Sequence, residues 1–547
     1  MILMPTVSFR KDVFDKAVGS KLPLEKLAGE LEQMKVEVNG VDANGVLSVE
    51  VTGDRPDLMS LRGIARALRG KLGVDKGVPK LELGRFSIKI VADKQALKVR
   101  PVVVGAVVEG VSLDEMSIAE LFQQQEKLDS TIGRARKRVS IGLYDLDALK
   151  PPFAFKLAAE DAAFTPLKAN GSMTMRQVLE EHPAGREYAH LLRGKYPVLE
   201  DSAGEVLSLV PVINNASSAV TPSTRRLFID HTGSDRHACN ASLNILCQDF
   251  FDAGCKVSKV AVEHPDGAKA TITPDNSLQE MSFSASACNK LLGSSFKPPE
   301  IVSFLARQRI GAKAVGDRLD CSIPAYRYDF LHPVDLVEEV ALGFGYLNFK
   351  PVVPSFFTRG SLNAETLEEN ACRDFMVGAG FTETLQYVLS SPARAAKSLS
   401  QGEMVEILNP VSGDYAAARG ALLPGLLELL SKNTHYPYPQ RVFEVGPVIV
   451  PDSLLPEKMR TQTRLACVSC HASSSLTEVA SVLAEFAGRF KRKLSLSKLS
   501  SRQFLEGRQA EVLLDGKPVG SAGEVHPQVL ENHGLQVPAA AFEIILG

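Results

Sequence analysis

The chain has 547 residues, 45% hydrophobic and 23% charged, with a formal net charge of −2; that length exceeds one hydrophobic core and implies roughly three to five domains. The near-neutral charge excludes a protein that grips nucleic acid with its whole surface, so any RNA contact must use local patches or another chain. Met-Ile-Leu-Met-Pro lacks a signal-peptide pattern, no apolar run reaches the ~18 residues of a membrane span, and eight cysteines do not make a disulfide scaffold in so long a chain, so a cytoplasmic protein is expected.

In chain order, Thr6–Phe9 reads as a strand and Leu22–Met34 as a helix. Leu61, Ile64, Ala65, Leu68 and Leu72 recur at helical spacing, with Gly73 as the stop. Lys76–Gly84 looks like a linker. Valine-rich strands, among them Pro101–Val108, then alternate with helices up to about residue 262. One of these helices, Arg176–Leu192, is broken by Pro183 and Gly185. Glu263–Ser277, with Pro, Asp and Gly, is the next boundary. Residues 278–348 form a compact unit of two helices and a strand, and Phe349–Phe357 is a second linker. The remainder mixes helices (Ala364–Ala379, Leu422–Asn433) with strands (Arg441–Val450, Ala510–Leu514). The class is α+β, multidomain.

Asp335, Glu338 and Glu339 stand at i, i+3 and i+4 and so share a helix face, leaving Leu336, Val337, Val340 and Ala341 for a core. Pro333 suits the first turn, and Asp329 lies near enough to bend back. Spacing alone leaves two readings open. One is a solvated polar face near a helix N-terminus. The other is a set of hard oxygen ligands for Mg²⁺ or Ca²⁺. Cys467-Val468-Ser469-Cys470-His471 matches a haem-attachment spacing, but without an export signal or a second ligand pair it reads as a buried strand. The basic clusters Arg134, Arg136, Lys137, Arg138 and Arg489, Lys491, Arg492, Lys493 either meet RNA phosphates or are solvated. No P-loop, dinucleotide fingerprint, H-E-x-x-H or nucleophile elbow is present.

Several segments taken together resemble the β subunit of phenylalanyl-tRNA synthetases of the archaeal/eukaryotic type. They are Arg55-Pro56-Asp57-Leu58-Met59-Ser60, Ser140-Ile141-Gly142-Leu143-Tyr144-Asp145, Val206 to Asn214, Phe228 to Gly233, Arg327-Tyr328-Asp329 with Glu338-Glu339, Asn409-Pro410-Val411-Ser412, Phe443-Glu444-Val445-Gly446 and Gly523 to Pro527. Their order and spacing are specific where each alone is weak. The resemblance implies an N-terminal α/β domain (1–84), a mixed α/β tRNA-editing domain (85–262), and a small Mg-binding helical domain of winged, DNA-binding-like type (278–348). It implies last a catalytically inactive, class II synthetase-like antiparallel core (358–547). Two departures from the bacterial pattern, no room for an inserted oligonucleotide-fold domain and no terminal anticodon-binding domain, point to the archaeal/eukaryotic type.

The same resemblance implies that Asp329, Asp335, Glu338 and Glu339 coordinate Mg²⁺ in a structural role beside a catalytic α subunit. It also implies that Leu199, Ser208, Asp230 and Thr232 line an editing pocket. ATP and L-phenylalanine would be handled by the α subunit of an α₂β₂ assembly acting on tRNA(Phe). An editing site makes physical sense: a phenylalanine pocket rejects an added hydroxyl by only about 10²-fold, whereas a site that hydrogen-bonds the hydroxyl rejects its absence far better. Arg441 and Glu444 resemble the strand motif that contacts ATP, but the Gly-rich motif ending in Arg is missing after Gly446. The chain alone is therefore expected not to activate phenylalanine. A free-standing deacylase and a nucleic-acid-binding scaffold are the alternatives.

Overall fold

The computed structural model describes residues 5–265, 267, 269–400 and 402–546, apart from the side chains of residues 86 and 87. It divides into two compact units, Met1–Val352 and Val353–Gly547.

The first unit opens with an antiparallel sheet in the order Thr6–Arg10, Val46–Val51, Val36–Val41. The helix Leu61–Lys71 buries Leu61, Ile64, Ala65 and Leu68 against it, as the spacing predicts; each such leucine or isoleucine contributes about 1.5–3 kcal/mol. Ser60 caps this helix by accepting the N–H of Gly63. Gly73, at φ +75°, turns the chain out of it. The predicted linker Lys76–Gly84 is irregular except at its end, where the strand Leu83–Ala92 begins.

A ten-stranded sheet among the described residues follows. From one edge its order is Ile213–Asn214, Val206–Leu209, Pro197–Glu200, Phe153–Leu157, Leu83–Ala92, Lys256–Glu263, Val102–Glu109, Arg226–Gly233 and Val139–Asp145. Leu83–Ala92 runs parallel to both neighbours, and the other pairings are antiparallel. Thr271–Thr273 adds to Lys256–Glu263, so the sheet extends past the expected boundary at 262; residues 266 and 268 of that segment lie outside the described residues. The helix Arg236–Asp252 covers one face. On the other face the sheet curls until its edges meet, with the Asn214 side chain donating to the carbonyl of Leu143 at 3.2 Å. The predicted helix Arg176–Leu192 is two helices, Met175–Glu181 and Pro183–Tyr188. Gly185 serves their close packing, since a Cβ there would lie 1.8 Å from the carbonyl oxygen of Val178.

Residues 279–348 carry three helices (Ala285–Leu292, Pro298–Arg307, Pro333–Phe344) and the antiparallel sheet Gln279–Ser284, Arg318–Ile323, Gly311–Val315. That is one helix and two strands more than the sequence reading gave. The second unit has a seven-stranded sheet among the described residues, built around Gln440–Pro451, Met459–Cys470 and Ala539–Ile545. Cys467 and Cys470 are buried in a strand as expected, three residues apart and therefore in different apolar clusters. No helix among the described residues is long and apolar enough to cross a membrane.

Candidate functional site

Three adjacent strands set side chains in rows on the inner face of the curled sheet. Ser140, Thr232 and Val103 form one row, Gly142, Asp230 and Gly105 the next, and Tyr144, Phe228 and Val107 the third. Residues two apart on a strand share a face, so Asp230 and Thr232 point the same way. His231 points the other way into the helix-covered core, where it bonds Ser242 at 2.7 Å. Burial pushes His231 down to about 3, so it stays uncharged.

Tyr144 connects the far strands. Its hydroxyl lies 2.7 Å from Asp230 Oδ1 and 2.9 Å from Ser208 Oγ, which arrives from the opposite edge of the sheet. Leu199 faces Ser208 across the strand pair and packs with Tyr144 and Phe228. Thr232 Oγ1 lies 3.0 Å from Ser140 Oγ. The Arg100 guanidinium donates to the Thr232 carbonyl at 2.6 Å, to Ser140 at 3.1 Å and to the Arg136 carbonyl at 2.8 Å. Leu199, Ser208, Asp230 and Thr232 thus come together, each buried. Burial drives the Asp230 carboxyl up to about 7 and Arg100 down to about 10. A polar array in an apolar interior, with a carboxyl raised toward neutrality, makes this the candidate site. Sequence reasoning missed Tyr144, Arg100 and Ser140. Their signal was the alternation of polar or small with apolar residues in Ser140-Ile141-Gly142-Leu143-Tyr144.

The four acids of the small domain fare differently. Arg327 holds both oxygens of Asp329, at 2.8 and 2.6 Å, and also Glu339 Oε1 at 2.6 Å. Burial opposes the charge of Arg327, but the two carboxylates outweigh it and raise its pKa. Glu338 pairs with Lys35 at 2.8 Å, and Asp335 accepts the N–H groups of Leu331 and His332 at 2.7 Å each. Arg55, bonded to Asp57, comes within 3.9 Å of Glu339. Among the described residues no group of three or more His, Cys, Asp or Glu is arranged to hold a metal ion. Glu339 Oε2 is buried with no hydrogen-bond partner.

In the basic cluster near residue 136, Arg136 is bound to Asp129 and two carbonyls, and Arg138 to Asp235 and Tyr328; Arg134 and Lys137 are exposed. In the other cluster Arg492 pairs with Asp515.

The chain is 35% identical to a protein of Pyrococcus furiosus named "Phenylalanine--tRNA ligase beta subunit", over 99% of both chains. An equally named protein of Archaeoglobus fulgidus is 35% identical over 99% of this chain and 98% of its own. The chain belongs to the phenylalanine–tRNA ligase β-subunit family. The family profile "tRNA synthetase B5 domain" matches residues 281–346, and "Phenylalanyl tRNA synthetase beta chain CLM domain" matches 350–546. A solved N-terminal fragment of the β subunit from Pyrococcus horikoshii superposes with a TM-score of 0.60 and 32% identity, covering 62% of this chain and 99% of the fragment.

In this family member the second unit contains a cavity of ≈ 630 Å³ lined by Arg419, Arg464, Pro424 and Glu543 among others. Two of its arginines are already paired. Arg419 bonds the buried Glu444 at 2.6 Å, and Arg464 bonds Glu543 at 2.9 Å. The other oxygen of Glu543 accepts the N–H groups of Leu422 and Leu423 at the start of a helix. Arg441 lies three residues before Glu444, on the opposite face of their strand, and pairs with Glu478.

Proposed function

We propose that this chain is the β subunit of a phenylalanine–tRNA ligase. In this reading it docks an α subunit that activates L-phenylalanine with ATP, forms an α₂β₂ assembly in the cytoplasm, and hydrolyses Tyr-tRNA(Phe) in its own editing pocket. The observation that carries the editing part is the buried Ser208–Tyr144–Asp230 array, which offers hydrogen-bond partners to a tyrosyl hydroxyl inside an apolar shell. Ester hydrolysis then proceeds by a positioned water, because no serine or cysteine of the array is paired with a base. Supporting the assignment of ATP chemistry to α, Arg441 and Glu444 face opposite ways and each is taken up by an internal partner.

The donor chemistry of the small domain fits Mg²⁺: every candidate ligand is a carboxylate oxygen, and Glu339 Oε2 is a buried acceptor without a partner. Mg²⁺ commonly keeps several waters and takes only one or two carboxylates. Glu339, Glu338 and Asp335 each have an oxygen with no internal partner among the described residues, from which one or two ligands would be drawn, whereas Asp329 gives both of its own to Arg327. Bound there, the ion would offset carboxylate charge. The chain's own residues already hold the helix Pro333–Phe344: Lys35 and Arg55 reach it from the N-terminal domain, and Arg327 ties it to the segment that leads into it.

Expression of the chain with and without an α subunit tests the reading. Phenylalanine charging should need both chains, and Tyr-tRNA(Phe) hydrolysis should slow about tenfold or more with Asp230→Ala. Phenylalanine-dependent pyrophosphate exchange by this chain alone would sink the division of labour. Unchanged hydrolysis in Asp230→Ala would sink the pocket.

A further inference from the structure

Asp230 lies in a slot. The residues opposite it on both flanking strands are glycines, Gly105 and Gly142. A Cβ on Gly142 would come 2.1 Å from Asp230 Oδ1 and 2.3 Å from the Tyr144 hydroxyl oxygen, so the strand is bare where acid and phenol meet. Among the described residues Tyr144 is the sole hydrogen-bond donor to the Asp230 side chain, and it reaches Oδ1 only.

The proton inventory fixes the direction of the chain. A phenol has one proton, and an ionised carboxylate accepts only. With Asp230 ionised, Tyr144 therefore donates to it, and Ser208 donates to Tyr144. The run ends at Asp230, whose Oδ2 has no donor. Tyr144 cannot swing out of this run. Its strand is paired residue for residue with Arg226–Gly233, and its ring stacks on Phe228 at 5.7 Å within a cluster that includes Phe153, Phe155 and Leu199.

We propose that Tyr144 is the specificity-determining positioning residue of this site: it fixes Ser208 and one oxygen of Asp230 so that the other oxygen takes the phenolic hydroxyl of a tyrosyl group. This rests on the editing reading above. A tyrosyl hydroxyl completes the partners of the carboxylate. A phenylalanyl ring brings no donor and leaves a desolvated acid unpaired, the asymmetry that makes such sites selective. Thr232 does not compete for this role, since its hydroxyl is engaged with Ser140 and its carbonyl with Arg100.

The test compares hydrolysis of Tyr-tRNA(Phe) and Phe-tRNA(Phe) by the full chain in complex with its α subunit. Tyr144→Phe keeps the ring. It should lower kcat/KM for the tyrosyl substrate about tenfold or more and change the phenylalanyl substrate by less than about threefold. The pH profile for the tyrosyl substrate should also move upward, because the Tyr144 hydrogen bond favours charged Asp230. The other groups that bear on Asp230 are Arg100, from the segment after Lys94–Val99, and the neutral Cys239 thiol of the covering helix; both stay in place. Ser208→Ala cuts the far end of the chain and should give a smaller loss. Tyr144→Phe that charges phenylalanine normally yet keeps the wild-type substrate ratio and pH profile overturns the proposal alone. A wild-type complex that hydrolyses neither substrate overturns the editing reading, and this inference with it.

Discussion

Replacing Arg327 by methionine removes the one cation, among the described residues, that bonds both Asp329 and Glu339. Breaking a buried ion pair from one side costs about 3–5 kcal/mol, because the remaining charge is stranded. The two acids differ in how they escape that cost. Asp329, with a side chain 15% exposed, can turn to water. Glu339 is 4% exposed, already has an orphaned Oε2, and is left with Arg55, which is 3.9 Å away and committed to Asp57. The expected loss is about 4 kcal/mol, carried by Glu339. Adding Glu339→Gln to Arg327→Met removes the stranded charge and should restore about 2 kcal/mol, because a neutral amide is far less costly to bury. A chain of several domains does not unfold in two states, so the readout is local: hydrogen exchange across the helix Pro333–Phe344. A loss below about 1 kcal/mol, or a double variant no more stable than Arg327→Met, would refute the stranded-charge account.

Asp230 gives a pH prediction. Its folded pKa of about 7 stands above an unfolded value of about 3.9, so between the two the native state binds the extra proton. Its contribution is therefore full below about pH 4 and is lost as pH rises through 7; from pH 5 to pH 8 the strand Arg226–Gly233 should lose about 2.5 kcal/mol of protection that Asp230→Asn does not lose. Equal pH dependence in the two proteins would contradict the burial assigned to this acid. For the small domain, calorimetric titration of Mg²⁺ into the chelator-treated complex should show one site that Glu339→Gln weakens about tenfold or more. No heat of binding in the wild type would remove the metal reading.

What the sequence disclosed was local. Acids at i, i+3 and i+4 predicted the helix Pro333–Phe344 and its polar side, and alternation predicted the strand that buries Cys467. It could not disclose that Lys35, Arg55 and Arg327 would meet those acids, because the first two lie some three hundred residues upstream and reading charge from spacing ignores partners across a fold. The boundary drawn at residue 262 failed for a related reason: turn residues mark where a chain bends, and Thr271–Thr273 bends straight back onto its own sheet. Ser208, Asp230 and Thr232 were reachable by resemblance. Tyr144 was not singled out, since a tyrosine in an apolar strand looks like packing until Asp230, 86 residues later, is found against its hydroxyl. Gly185 was read as a breaker, whereas contact with Val178 explains it better.

The strand order also dictates a schedule for synthesis on the ribosome. Leu83–Ala92 and Val102–Glu109 are made early but never touch as neighbours, because Lys256–Glu263 must slide in between them. At translation rates of about 5–20 residues per second, the earlier strands wait about 7–30 s with the edges that will flank Lys256–Glu263 unpaired. A nascent chain released after Gly233 but before Lys256 would carry all the groups of the array but lack the central stave that holds their sheet together.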